Sequence, residues 1–93
     1  MPERKTTFRV DCTPVQGKDS WAELTYMSWG EVQAAMSGAL ESDEALKEHL
    51  KDWNWVDDAG EPLELSVDVL FWPERTFLLD ALFVPVSVAE AKN

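Results

Sequence analysis

The chain has 93 residues, a formal net charge of -10 and 45% hydrophobic residues, among them five Trp and four Phe. This length leaves room for one small domain, and the aromatic content excludes a disordered chain despite the high charge. The negative charge disfavours binding to nucleic acids and to anionic lipid surfaces, since both are themselves negatively charged. We therefore predict one domain over residues 1–93, with flexible ends at 1–6 and 87–93 and with no nucleic-acid or membrane partner.

The cysteine count and the chain ends bear on the cellular compartment. Cys12 is the only cysteine, so no disulfide can form within the chain and a reducing compartment fits best. The first residues are polar and lead into no apolar segment of the kind that a signal peptide contains. The longest apolar stretch, residues 77–86, is broken by Asp80 and Pro85 and is too short to span a bilayer. These features predict a cytoplasmic protein.

The first half of the chain predicts a β-hairpin followed by two short helices. Residues 7–12 and 21–26 alternate apolar and polar side chains, as half-buried strands do, with a loop at 14–20 between them. Ser28 and Glu31 have the spacing of a capping box, so a helix is expected to begin there. Its predicted apolar stripe contains Trp29, Val32, Ala35 or Met36, Ala39 and Leu40. A second helix is predicted from Ser42 or Asp43 to Lys51.

The middle of the chain contains two indoles, Trp53 and Trp55, directly before the turn at residues 57–62. Two residues apart in an extended segment, both indoles lie on the same face. In the turn, Gly60 is expected to supply a positive φ, while Asp57 or Asp58 caps the bend. Residues 63–65 are predicted to pair back against 53–56 as a short hairpin.

The last predicted helix is bounded by two prolines. Pro73 favours the first helical position, with Glu74 in the first turn, and Pro85 ends the helix near Val84. Residues 77–84 carry apolar groups on nearly every side, and a helix that is apolar all round must be covered all round. We expect one face to pack against the other helices and the remaining face to contact a second subunit or another protein.

Candidate catalytic and metal-binding groups are few. The acidic residues of the 57–62 turn lack the alternating ligand order of a calcium loop, so a solvated turn is favoured. His49, the only histidine, is expected to be an exposed or half-packed helix residue, since no second histidine exists to share a metal. The sequence pairs no nucleophile with a base and contains no phosphate-binding glycine motif. We predict a protein that is not an enzyme and that uses no metal or cofactor.

Three segments together resemble the small tail assembly proteins of long-tailed bacteriophages and prophages. They are Tyr-Met-Ser-Trp-Gly-Glu at 26–31, Trp-Asn-Trp-Val-Asp-Asp-Ala-Gly-Glu-Pro-Leu at 53–63 and the apolar helix at 77–82. The resemblance covers about residues 21–84 and departs from the family at Trp72, where a polar Ser or Thr is expected before the proline. It implies a tail assembly chaperone without catalytic residues, in the bacterial host cytoplasm, whose partner is the tape measure protein or a tail tube protein.

These observations combine into one fold prediction and three functional hypotheses. The fold is expected to be α+β, with an N-terminal hairpin, three to four short helices and a Trp-rich turn, and a mainly α fold is the alternative. At least one or two of the five Trp are expected at the surface or at an interface, because one small core does not readily hold five indoles. The other two hypotheses are an acidic DNA mimic and a homo-oligomeric structural subunit. The predicted partner-binding residues are Trp53, Trp55, Phe71, Trp72, Phe77, Leu78, Leu82 and Phe83.

Overall fold

The computed structural model describes residues 4–84 and shows an antiparallel three-stranded sheet with four helices. The strands are β1 (Thr7–Asp11), β2 (Trp21–Thr25) and β3 (Leu50–Trp53). The helices are α1 (Thr13–Gln16), α2 (Trp29–Ser37), α3 (Ser42–His49) and α4 (Trp72–Phe83), and a 3-10 turn spans Val67–Val69. The predicted α+β class is confirmed, as is the N-terminal hairpin.

The predicted flexible ends lie mostly outside the described residues. Residues 4–6 are described and have no regular secondary structure, whereas the predicted end at 87–93 falls wholly outside. No helix within residues 4–84 is long and apolar enough to cross a membrane.

The sheet has the order β1-β2-β3 and buries one of its faces. Phe8 pairs with Leu24 and Val10 pairs with Ala22, and all four side chains are buried. They share a face because alternate residues of a strand point to the same side of the sheet. The other face carries a cation–π contact, in which the Arg9 guanidinium of β1 lies 3.9 Å from the ring centroid of Trp21 in β2.

The core forms where α3 and α4 cover the buried face of the sheet. Fully burying each aliphatic side chain contributes roughly 1.5–3 kcal/mol, so this one cluster supplies most of the apolar stabilisation. The buried side chains are Phe8, Val10, Cys12, Ala22, Leu24, Ala45, Leu46, Leu50, Trp53, Trp55, Leu78, Ala81 and Leu82.

The segment around the two indoles differs from the predicted hairpin. The predicted second helix ends at His49, and β3 begins at Leu50 and pairs with β2. The chain then turns back and forms one isolated β-bridge, between Val56 and Pro62. Beside it, the Leu63 amide donates to the Trp55 carbonyl at 3.0 Å. Proline has no N–H to offer a partner strand, so this pairing stays short.

The predicted apolar stripe of α2 is only partly covered. No residue of α2 is buried, and Trp29 and Met36 are 69% and 76% exposed. The cause is that α3 and α4 already cover the sheet face. The capping box is confirmed, since the Glu31 amide donates to Ser28 Oγ at 3.1 Å and Glu31 Oε1 accepts from the Ser28 amide at 2.9 Å.

The loop predicted at 14–20 also contains an unpredicted element. It begins with the single-turn helix α1, whose first turn includes Pro14. Asp19 then has a φ of 66°, which lets the chain turn into β2. Because Asp and Asn tolerate the left-handed region better than most residues, Asp19 suits this position.

Two neighbouring leucines on α4 test this packing. Leu78 is completely buried and Leu79 is half-buried. We expect Leu78→Ala to lower the free energy of unfolding by about 2–5 kcal/mol, because it leaves a cavity in the core. The matched substitution Leu79→Ala should cost clearly less. Urea unfolding followed by circular dichroism measures both, and equal losses would contradict the assigned orientation of α4.

Candidate functional site

The outward side of α4 carries a line of large side chains. Trp72, Thr76, Leu79 and Phe83 are spaced at i, i+4, i+7 and i+11, so they lie along one side of the helix. Trp72 is 74% exposed, Thr76 is exposed, and the other two are half-buried. We call these four residues the α4 stripe. Thr76 is the one polar member, and Leu79 also packs partly against the core.

The predicted partner-binding residues separate into two groups. Trp53, Trp55, Leu78 and Leu82 are core residues, so in this structure they cannot contact a partner. They are buried because the sheet, α3 and the inward side of α4 close around them. The remaining four stay accessible: Phe71 and Trp72 are exposed, while Phe77 and Phe83 are half-buried.

Leu79 lies on the α4 stripe but is not among the predicted partner-binding residues. Its seven-residue spacing from Trp72 was the available signal, since two residues seven apart share a helix face. Choosing between the two sides of α4 needed the position of the sheet, which the spacing does not give.

Hydrogen bonds and one ion pair hold the start of α4, next to the two exposed aromatics. The Phe71 amide donates to Glu74 Oε1 at 2.7 Å, and the Gln16 side-chain amide donates to Glu74 Oε2. On the other side, Arg75 Nε donates to Asp43 Oδ1 at 2.7 Å, and its guanidinium lies 5.7 Å from the centroid of a Trp72 ring. Trp72, where the family resemblance predicts Ser or Thr, therefore projects from an anchored helix start.

The Trp-Asn-Trp segment is structural in this fold. The two indoles are stacked with ring centroids 4.4 Å apart and an interplanar angle of 3°, so the prediction that they share a face is confirmed. Trp53 Nε1 donates to the Leu63 carbonyl at 2.9 Å. The Asn54 side chain accepts from the Trp21 amide at 2.8 Å and donates to the Asp19 carbonyl at 3.0 Å.

Cys12 lies in the core beside the second indole. Burial raises the pKa of its thiol from 9.0 to about 12, and the nearby Trp55 indole offsets part of that rise. The Cys12 thiol and the Trp55 indole N–H do not form a hydrogen bond. Trp55 Nε1 is the one fully buried side-chain N or O atom among the described residues that lacks a hydrogen-bond partner. A protonated, enclosed thiol is not a nucleophile or a ready metal ligand.

His49 is buried, so the expectation of an exposed or half-packed residue is wrong. Its Nδ1 lies 2.7 Å from Thr25 Oγ1, and its Nε2 lies 2.8 Å from Glu31 Oε2. Both ring nitrogens thus have partners, which is what permits the burial. This chain of contacts joins β2, α2 and α3, and it is the main polar anchor of α2.

The same region contains the residues that come nearest to a metal-binding group. Potential ligand atoms of Glu31, Glu48 and His49 lie within 4.8 Å of one another. The hydrogen bond between His49 and Glu31 accounts for two of the three members without an ion, and Glu48 is exposed. The contacts with Ser28 and with His49 lower the pKa of the Glu31 carboxyl, the backbone hydrogen bond from Ser28 contributing most.

The acidic turn at 57–62 forms as predicted. Asp57 Oδ1 accepts from the Ala59 amide at 2.9 Å and from the Glu61 amide at 3.0 Å, and Gly60 has a φ of 82°. The side chains of Asp58 and Glu61 are exposed. A carboxylate that caps its own turn in this way explains the acidic cluster as local structure.

Comparisons of the chain with protein-family models, with curated proteins and with solved structures found no match.

The enclosure of Cys12 predicts its reactivity. We expect the native protein at pH 8 to react with a thiol reagent such as dithionitrobenzoate at least about 100-fold more slowly than the urea-unfolded chain, since only the exposed thiolate reacts. Absorbance of the released thiolate measures both rates. Fast labelling of the folded protein would contradict the packing of Cys12 in the core.

The lowered pKa of Glu31 predicts a pH dependence with a defined sign. A carboxyl whose pKa is lowered on folding stabilises the fold above its ordinary pKa, here 4.5, and loses that effect as the pH falls through the folded value. Glu31→Gln should therefore be less stable than the unchanged protein at pH 7, and the difference should shrink below pH 4.5. Urea unfolding at several pH values measures it.

The exposed Glu64 supplies the control, since Glu64→Gln removes the same charge from a loop. If both variants behave alike across the pH range, overall charge and not the capping box sets the stability difference.

Proposed function

We propose that this protein is a non-enzymatic tail assembly chaperone of the bacterial cytoplasm that holds a helical tail protein, the tape measure or the tail tube protein, against the α4 stripe. The supporting observation is the exposure of Phe71 and Trp72, at 72% and 74%, on an anchored helix start. Large aromatic side chains fixed at a surface are the usual centres of protein-binding energy. The resemblance of three sequence segments to tail assembly proteins supplies the specific partner.

The spacing of the stripe favours a helical partner. From Trp72 to Phe83 it extends about 16 Å along α4, at 1.5 Å per residue, which is three helical turns. Steps of four and three residues are those of a coiled-coil seam, into which another helix can pack its own apolar side chains. An amphipathic helix that docks by its apolar face matches this surface.

The charge of the chain is compatible with this role. A net charge of -10 keeps copies of the protein apart despite the exposed aromatics. It also favours a partner helix with basic residues beside its apolar face, because charge complementarity directs docking and raises the association rate.

A pull-down with a tape measure fragment tests the proposal. We expect Trp72→Asp and Leu79→Asp each to weaken binding by at least about 30-fold, because each places a charge in an apolar contact. Met36→Asp is the matched control: Met36 is as exposed as Trp72 but lies on α2, so binding should be retained. Circular dichroism melting of each variant checks that the fold is intact.

Two further measurements separate the competing hypotheses. A DNA mimic would bind a nucleic-acid-binding protein with an affinity that falls steeply between low and moderate salt, whereas an apolar complex responds little. A homo-oligomeric subunit would show a mass that rises with concentration in sedimentation equilibrium and that Trp72→Asp reduces. If the Trp72→Asp and Leu79→Asp variants both bind the fragment as tightly as the unaltered chain does, the α4 stripe is refuted as the docking surface.

A further inference from the structure

A pocket opens beside the α4 stripe, at the junction of α1, the acidic turn and the start of α4. Its volume is about 340 Å³, and its walls are about equally polar and apolar; its acids are Asp57 and Asp58 of the turn and Glu74 of α4. The lining residues are Val15, Gln16, Val56, Asp57, Asp58, Leu63, Val69, Phe71 and Glu74. Phe71 belongs to the pocket wall and directly precedes Trp72, so the pocket and the stripe adjoin.

The carboxylate of Glu74 is buried without a cation. Its residue is only 6% exposed, and its two oxygens accept from the Phe71 amide and the Gln16 side chain. Neither ion pair found among residues 4–84 includes Glu74, and the adjacent Arg75 pairs with Asp43 instead. Each carboxylate oxygen can accept a second hydrogen bond, so Glu74 retains acceptor capacity toward the pocket.

Burying a charge is unfavourable unless it is paired. Two hydrogen bonds offset part of that cost for Glu74, and a cation in the pocket would offset more. The exposed carboxylates of Asp57 and Asp58 at the pocket add negative potential. Asp57 Oδ1 accepts both hydrogen bonds from the amides of its own turn, and the other carboxylate oxygen of Asp57 accepts neither of them.

We propose that this pocket binds a Lys or Arg side chain of the helical partner that docks on the α4 stripe, with the charged head group paired to Glu74. The aliphatic stem of such a side chain would lie against Val15, Val56 and Phe71, as the stems of Lys and Arg commonly do on apolar surfaces. A guanidinium fits best because its planar fork donates two hydrogen bonds to a carboxylate. This inference rests on the proposed function, and it adds a charge requirement to an otherwise apolar contact.

A metal ion is a poorer occupant of this pocket. Among residues 4–84 the only group of three close metal-ligand side chains is the one at Glu31, Glu48 and His49, away from the pocket acids. Asp57, Asp58 and Glu74 line the pocket but do not bring three ligand atoms together in this way, and a hard cation needs such clustered oxygen ligands. An organic cation with a hydrocarbon stem satisfies both the walls and Glu74.

Nuclear magnetic resonance with small probes tests the pocket directly. We expect n-butylguanidinium, added to the ¹⁵N-labelled full chain, to shift the amide signals of Gln16, Val56, Asp57, Phe71 and Glu74 with millimolar affinity. Neutral n-butylurea, which has nearly the same shape, should bind at least about tenfold more weakly. Equal shifts from both probes, or shifts from the guanidinium spread over the acidic surface, would overturn the proposal.

Two variants sharpen the result. Glu74→Gln should reduce n-butylguanidinium binding at least about tenfold, whereas Asp68→Asn, which removes an exposed acid that does not line the pocket, should leave it unchanged. Equal loss in both would show that overall charge attracts the probe. Since the probe comparison uses the unaltered chain, it decides the question even if Glu74→Gln does not fold.

The pull-down with the tape measure fragment keeps the two proposals distinguishable. If the fragment binds and Glu74→Gln weakens it about tenfold, both are supported. If the fragment binds the unaltered chain and Glu74→Gln equally well, the pocket proposal fails while docking on the stripe stands. If n-butylguanidinium fills the pocket but no tail protein binds the chain, the proposed function fails.

Discussion

The stacked indoles of Trp53 and Trp55 join the parts of this chain that would otherwise separate. One indole lies at the end of β3, and its N–H holds the segment after the acidic turn through the Leu63 carbonyl at 2.9 Å. The other is enclosed beside Cys12 at the centre of the core. Each indole removes roughly 150–250 Å² from water, a large share for a domain of this size. This contact links β3 to the segment that follows the acidic turn.

Two of the other indoles lie at the surface, while Trp53 and Trp55 lie in the core. With the sheet face already covered by α3 and α4, Trp29 and Trp72 remain at the surface, so the prediction that one or two Trp would be exposed is confirmed. α2 is held mainly by the contact between Glu31 and His49, and none of its residues is buried. α4 is anchored from both sides at its start, which makes its outward side the better-defined surface for a partner.

Local signals in the sequence predicted local structure well. The Ser28–Glu31 capping box, the Gly60 turn and the alternation of the first two strands each depend on neighbours within a few residues, and all three form. The packing of the helices depends on residues that are distant in the sequence, so such local patterns do not predict it. The spacing of α2 is that of a buried stripe, yet the helix is only partly covered, and His49 is buried because Thr25 and Glu31 reach it from distant positions. The apolar residues of α4 likewise did not reveal which side faces the sheet.

The Trp53–Trp55 pair is internal, and we propose Trp72 as the contact point for a partner. Fluorine NMR of the chain labelled with 5-fluorotryptophan, with each resonance assigned by single Trp→Phe substitution, tests this assignment most directly. Adding the tape measure fragment should move and broaden the Trp72 signal and leave the Trp53 and Trp55 signals in place. A response of the two core indoles together with an unchanged Trp72 signal would contradict this account.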